Sequence, residues 1–130
     1  MPKAAQGDVY WYDFAEPRGS EPGFERPVAI LQGDALNRTT IQTAVVIVLT
    51  SNVRAASAAG NVLLTKKDTG LDRDSVANVP QLATIDRGFL RNHFGRLPPS
   101  RIQAILALVD RLRPIRTVAE VELEFIARHG

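Results

Sequence analysis

Four runs of strand-forming residues, with turn chemistry between them and no helical period among the first three, constrain this chain more than any other feature. They are "DVYWYDF" at 8–14, "PVAILQ" at 27–32, "IQTAVVIVL" at 41–49 and "NVLLT" at 61–65. All are rich in β-branched or aromatic side chains and bounded by Gly, Pro, Asn and Asp. The loops between them run to roughly eight to twelve residues and carry no helical pattern among the first three strands. The strands are therefore expected to pair antiparallel in a small barrel, and a parallel βαβ sheet is disfavoured. "KKDTGLDRD" at 66–74 reads as a charged turn pivoting on Gly70, and "SVANVP" as one more strand that stops at Pro80, which has no N–H to give to a ladder.

The period then changes. "SRIQAILALVDRL" sets Ile102, Ile105, Leu106, Val109 and Leu112 at helical spacing, and Ser100 with Gln103 forms the S-x-x-Q of a capping box after Pro98 and Pro99. A second box, Thr117 with Glu120, opens "VAEVELEFIARHG", a terminal helix in this reading, lined by Val118, Val121, Phe125 and Ile126. At 130 residues the chain is the size of one domain. Residues 1–113 are assigned to the barrel with its amphipathic helix and 114–130 to a C-terminal extension.

Composition narrows the function. There is no cysteine, so neither a disulfide framework nor a thiolate metal site is available, and the cytoplasm is the expected compartment. His93 and His129 have no ligand spacing between them, so no metal and no cofactor are inferred. The N-terminus lacks a signal-length apolar core, and "AVVIVL" at 44–49 is too short to span a bilayer. Net charge is only +2, yet the cations are thirteen arginines to three lysines, a bias toward forked recognition of phosphate or carboxylate.

In order along the chain, "GDVYWYDF", "GSEPGFERPVAIL", "VVIVLTSN" and "LDRDSVANVPQLATIDRGFL", followed by the capped helix, resemble the MazF/PemK family of toxin endoribonucleases, collinearly over residues 7–112. The resemblance implies an α+β fold: a small antiparallel SH3-like β-barrel of the CcdB/PemK kind with C-terminal helices. It also implies a homodimer whose interface groove takes single-stranded RNA, metal-independent cleavage at short sequences, and inhibition by an antitoxin with an acidic, disordered tail. Arg26 of "ERPV" and Thr50 of "LTSN" fall on the family's catalytic pair, and Glu21 of "GSE" on a carboxylate near it. Gln81 and Thr84 of "PQLATID" fall on a stretch near the RNA path. Gly19, Ser20, Phe24, Ser51, Asn52 and Arg73 complete the expected RNA-binding set. The chain departs from its relatives in "PGFE" between Glu21 and Arg26, in the loop "SNVRAASAAGN" at 51–61, and in the extension.

RNA carries its own nucleophile, the 2′-hydroxyl. Cleavage then needs a base, charge stabilisation at phosphorus and a proton for the departing 5′-oxygen. Arg26 suits charge stabilisation first and proton donation second, because a guanidinium gives up its proton reluctantly. A salt bridge to Glu25 or Asp34 is the competing use for it. Thr50, at the end of an apolar strand, can offer a hydroxyl and freed backbone N–H groups to a phosphate. Glu21 serves either as the base or as a reader of a base edge. Phe24 is the candidate stacking face. Alternation separates Trp11 from Tyr10, Tyr12 and Phe14, so one set belongs to the core. His93 is expected at a helix end or on the surface. Two alternatives stand beside an endoribonuclease: a gyrase poison of the same fold, whose Trp-Gly-Ile end this chain's "ARHG" does not match, and a catalytically silent RNA-binding relative.

Overall fold

The computed structural model describes residues 4–14, 25–57 and 60–112. Six strands form one antiparallel sheet: β1 (Asp8–Asp13), β2 (Glu25–Ile30), β3 (Thr43–Thr50), β4 (Asn61–Leu64), β5 (Ser75–Asp86) and β6 (Arg91–Arg96), in the spatial order β4-β5-β3-β2-β1-β6. Two one-turn helices, α1 (Asp34–Asn37) and α2 (Lys66–Thr69), sit in connections, and α3 (Pro99–Leu112) follows the sheet.

The order forces curvature. Strands β5 and β6 stand four places apart, roughly 19 Å in a flat sheet at about 4.8 Å per strand. Only residues 87–90 join them, and 87–89 are wound into a 3₁₀ turn. An extended chain of that length would barely cross the gap, so the sheet curls and brings its ends together. The crossing passes over the face carrying Val28, Ile30, Val46 and Val48, where Leu90 packs, and it is tied down by the Arg87 amide donating to the Gln42 carbonyl at 2.7 Å. Strand alternation thus supplies two apolar faces. The concave one holds Val28, Ile30, Ala44, Val46, Val48 and Ile85, with Tyr10, Tyr12 and Phe14 at its edge. The opposite face holds Val9, Ala29, Ile47, Leu49 and Ala77 beneath α3. Trp11 lies on that second face, edge-on to Phe94 with ring centres 5.7 Å apart.

Several local expectations are corrected. Strand β2 begins at Glu25, so Arg26 belongs to the strand itself. "KKDT" is helical because Thr65 caps it, accepting from the Asp68 amide while the Asp68 side chain accepts from the Thr65 amide. Gly70 does act as the pivot, closing α2 at φ 82°, a left-handed conformation that costs glycine little. Strand β5 does not stop at Pro80 but runs on to Asp86. Strand β6, "RNHFGR", has no counterpart among the expected strands; His93 lies in it, on the surface as one of the two expected placements had it, and not at a helix end. Helix α3 starts at Pro99, where a missing N–H costs nothing, so Ser100 falls inside the first turn and is not the N-cap. Ile102, Ile105, Leu108 and Val109 carry its packing, with Leu108 in place of Leu106. The expected helix over 117–130 lies outside the described residues.

Candidate active site

Strand register places the two central side chains. Pairs Val28–Val48 and Ala29–Ile47 define the β2–β3 ladder, and the same register carried two residues further sets Arg26 opposite Thr50. Directly opposed antiparallel residues stand roughly 4.5–5.5 Å apart at Cβ. Both share the face of Val28 and Val48, so they project at the rim of the concave side, where β2 begins and β3 ends.

The cleft here, about 250 Å³, is lined by Arg26, Val48, Leu49, Thr50, Asn52, Asn78 and Gln81. Its hydrogen bonds occupy acceptor atoms and leave side-chain donors over. The Thr50 hydroxyl oxygen accepts from the Asn52 amide at 3.2 Å, which leaves its proton to donate elsewhere. The Asn52 side-chain oxygen accepts from the Arg54 amide at 3.3 Å, which turns its NH₂ to remaining partners. Among the described residues no carboxylate stands within 4.0 Å of Arg26. Glu25 pairs with Arg91 at 3.9 Å, and Asp34 accepts from the Gln6 amide at 2.7 Å and the Asn37 amide group at 3.1 Å. The competing salt bridge to Glu25 or Asp34 is therefore absent. A guanidinium, a hydroxyl proton and a carboxamide NH₂ around one small cleft form a donor set for an anion.

A larger cleft, about 810 Å³, opens at the opposite mouth of the curled sheet, lined among others by Asp8, Tyr10, Gln42, Arg87, His93 and Arg96. Its size does not make it the better candidate, because Asp8, His93, Arg96 and Arg87, the charged groups named here, already hold partners within the fold. Asp8, 3% exposed, accepts from the Ala5 amide and from Arg96 Nε, each at 2.8 Å, and lies 3.2 Å from His93 Nε2. Burial alone would raise the Asp8 carboxyl, but those hydrogen bonds and the charges of Arg96 and His93 outweigh it and hold it below the usual carboxylate range. Tyr10 is pushed up, first by burial and then by the charge of Asp8. Arg87 donates to the carbonyls of Asn37 at 2.7 Å and Thr39 at 3.1 Å. The contacts of Asp8 with Arg96 and His93 tie β1 to β6.

A family model for the PemK-like, MazF-like toxins of type II toxin–antitoxin systems matches residues 5–112. The chain belongs to this family. It is 36% identical over 101 residues to the endoribonuclease MazF2 of Mycobacterium bovis, covering 78% of this chain and 89% of that protein. With the endoribonuclease EndoA of Bacillus subtilis it shares 35% identity over 112 residues, 81% of this chain and 96% of that one. Its fold is similar to MazF of Deinococcus radiodurans, with a TM-score of 0.71 at 21% identity, covering 86% of this chain and 97% of the other. It is also similar to a mycobacterial endoribonuclease solved in complex with its cognate antitoxin, with a TM-score of 0.67 at 20% identity over 83% and 92% of the two chains.

For a MazF/PemK chain, the smaller cleft gathers four of the residues singled out in the sequence: Arg26, Thr50, Asn52 and Gln81. Four others are placed away from it. Ser51 is exposed beside it without lining it. Thr84 is exposed opposite Val45, five residues or roughly 17 Å down β3 from Thr50. Arg73 stands exposed before β5, 4.0 Å from Asp72. His93 belongs to the other mouth. Gly19, Ser20, Glu21 and Phe24 lie outside the described residues. Asn78 is the residue that the sequence reading passed over. Its signal was present, since asparagine is depleted in strands and here interrupts "SVANV".

Proposed function

We propose that this chain is an endoribonuclease that cuts single-stranded RNA at the Arg26–Thr50 mouth, and that it acts as the toxin of its toxin–antitoxin pair. The observation that carries the reading is an exposed arginine with no described carboxylate partner, lining one cleft with a threonine whose hydroxyl oxygen accepts from the Asn52 amide and so keeps its proton to donate. In the step envisaged, the 2′-oxygen loses its proton to a base and bonds to the adjacent phosphorus. The bond from phosphorus to the 5′-oxygen breaks, and that oxygen takes up a proton. The products are a 2′,3′-cyclic phosphate and a 5′-hydroxyl. Arg26 stabilises the charge that grows on the phosphoryl oxygens, Thr50 donates to one of them, and the Asn52 NH₂ offers a further donor. Glu21 is the proposed base.

The same cationic mouth suits the acidic tail of an antitoxin, which would then compete with RNA. A homodimer in the cytoplasm is part of this reading, with the 114–130 segment dispensable for chemistry. No described helix is long and apolar enough to cross a membrane. The test is cleavage of a defined RNA and of the same RNA carrying one 2′-deoxyribose at the scissile position. The first is expected to be cut in EDTA as fast as without it, and the second to bind and stay intact. Cleavage of the deoxy substrate would overturn the mechanism.

A further inference from the structure

The geometry points to Asn78 as a residue that reads a nucleobase beside the scissile phosphate, an inference that rests on the endoribonuclease reading of the same cleft. Ladder pairs Leu49–Ala77 and Thr50–Val76 place Asn78 alongside Val48, on the face that carries Thr50. It is the diagonal neighbour of Thr50, roughly 7–8 Å away. Past that point the register jumps, because Ile47 pairs with Leu82, three residues later than an unbroken ladder would give. The extra residues lie around Pro80, which has no N–H, while on the other side the β4 register runs on undisturbed, the Val79 amide donating to the Gly60 carbonyl at 3.1 Å one pair beyond Asn61–Asn78. This bulge brings Asn78 and Gln81 to the cleft wall together.

Chemistry then separates them from the phosphate site. A phosphate accepts hydrogen bonds and donates none, and Arg26, Thr50 and Asn52 already supply donors. The carbonyl oxygens of two further carboxamides would gain nothing from it. A carboxamide sets one donor beside one acceptor, which matches the edge of a nucleobase, and unpaired RNA offers such edges. Asn78 is itself half-buried on the cleft wall, so its carboxamide is neither sealed in the core nor fully solvated. Asn78 faces Asn61 across the β4–β5 ladder, which fixes its strand position from the other side.

The experiment exposes wild type, Asn78→Ala and Arg26→Ala to a pool of RNA randomised over eight or so positions and sequences the new 5′-hydroxyl ends. Wild type is expected to cut a subset. Asn78→Ala is expected to lose discrimination at one position by about 10- to 100-fold in relative kcat/KM, with other positions read as before. Asn78→Thr, a better strand former, is expected to show the same loss and serves if the alanine variant does not fold. A variant whose profile equals that of wild type, or whose rates fall alike on every sequence, overturns the assignment of Asn78 and leaves the endoribonuclease reading intact. A wild-type protein that cuts nothing in the pool overturns that reading and this inference with it.

Discussion

Two arginines, one at each mouth, are expected to dissociate stability from catalysis. Arg26 is exposed, its ladder pairing with Tyr12 is made by main chain, and no described carboxylate holds it. Arg26→Ala is therefore expected to move stability by about 0.5 kcal/mol or less, as exposed substitutions away from packing features do. Its rate should fall on the order of 10²–10³, roughly 3–4 kcal/mol, if the guanidinium meets charge that exists only in the transition state. Arg96 inverts this. Its Nε donates to Asp8 Oδ1 at 2.8 Å, and Asp8 is 3% exposed, so removing it strips a charged hydrogen bond from a buried carboxylate. Such bonds are worth about 1.5–3 kcal/mol. Asp8 keeps the Ala5 amide at 2.8 Å and the imidazole of His93 at 3.2 Å, which argues for the lower half of that range. At roughly 4 °C per kcal/mol for a domain of this size, Arg96→Ala should melt about 6–9 °C lower than wild type. It should cut RNA at the wild-type rate well below its Tm. Thermal melts and single-turnover cleavage of one defined RNA read both quantities. Full activity in Arg26→Ala, or a folded Arg96→Ala that cuts nothing, would show that the chemistry had been placed at the wrong mouth.

Other consequences can be measured directly. Asp8, Asp34 and Asp68 all have carboxyls held below their ordinary value, so folded pKa lies under unfolded pKa. Their contribution is complete above the unfolded value near 4 and is lost as pH falls through the folded ones. The urea midpoint should therefore stay flat from neutral pH to about 5 and drop steeply below about 4, less steeply in Asp8→Asn; an unchanged slope in that variant would remove Asp8 from the account. Gly70→Ala combines a φ of 82° with a methyl that would collide with the Phe94 carbonyl oxygen, and should cost roughly 2 kcal/mol or more in chemical denaturation. A cost near zero would mean that β6 gives way freely there. Ile105→Ala empties the centre of the α3 contact, where the side chain is 0% exposed, and should cost about 2–5 kcal/mol in the same assay; a cost under about 1 kcal/mol would show that α3 is dispensable to the core.

The parts of this molecule that were legible in its sequence are those where local and tertiary preferences agree. "PVAI" and "AVVIVL" are short apolar, β-branched runs between turn residues and are strands, and once they pair, the two-residue period of each puts Arg26 with Val28 and Thr50 with Val48. Strand β6 was illegible because Phe94 is the one strong strand former in "RNHFGR", set among Asn, Gly and cations. It exists because β1 offers it an edge, and because Asp8 on that edge takes Arg96 and His93 from it. The capping box at Ser100 failed for a similar reason, since Pro99 can itself open the helix one residue earlier.

Pro80 joins the two kinds of case. A proline inside a strand reads as a stop, and locally it is one, because the ladder with β3 breaks beside it. The hydrophobic residues that follow have partners waiting on β3, so the strand resumes three residues out of step. An unbroken ladder would leave Asn78 opposite Val48 but would carry Gln81 to a place opposite Val45, five residues along β3 from Thr50 and out of the cleft. The bulge is what holds Gln81 beside Asn78 at the cleft wall. Pro80→Val restores an N–H and a strand-forming side chain, which favours the regular ladder over the bulge. That variant is expected to blur RNA discrimination in the randomised-pool assay while it still folds and cuts. A Pro80→Val protein that selects the same sequences as wild type would show that the bulge persists without the proline, set by the partners on β3 alone.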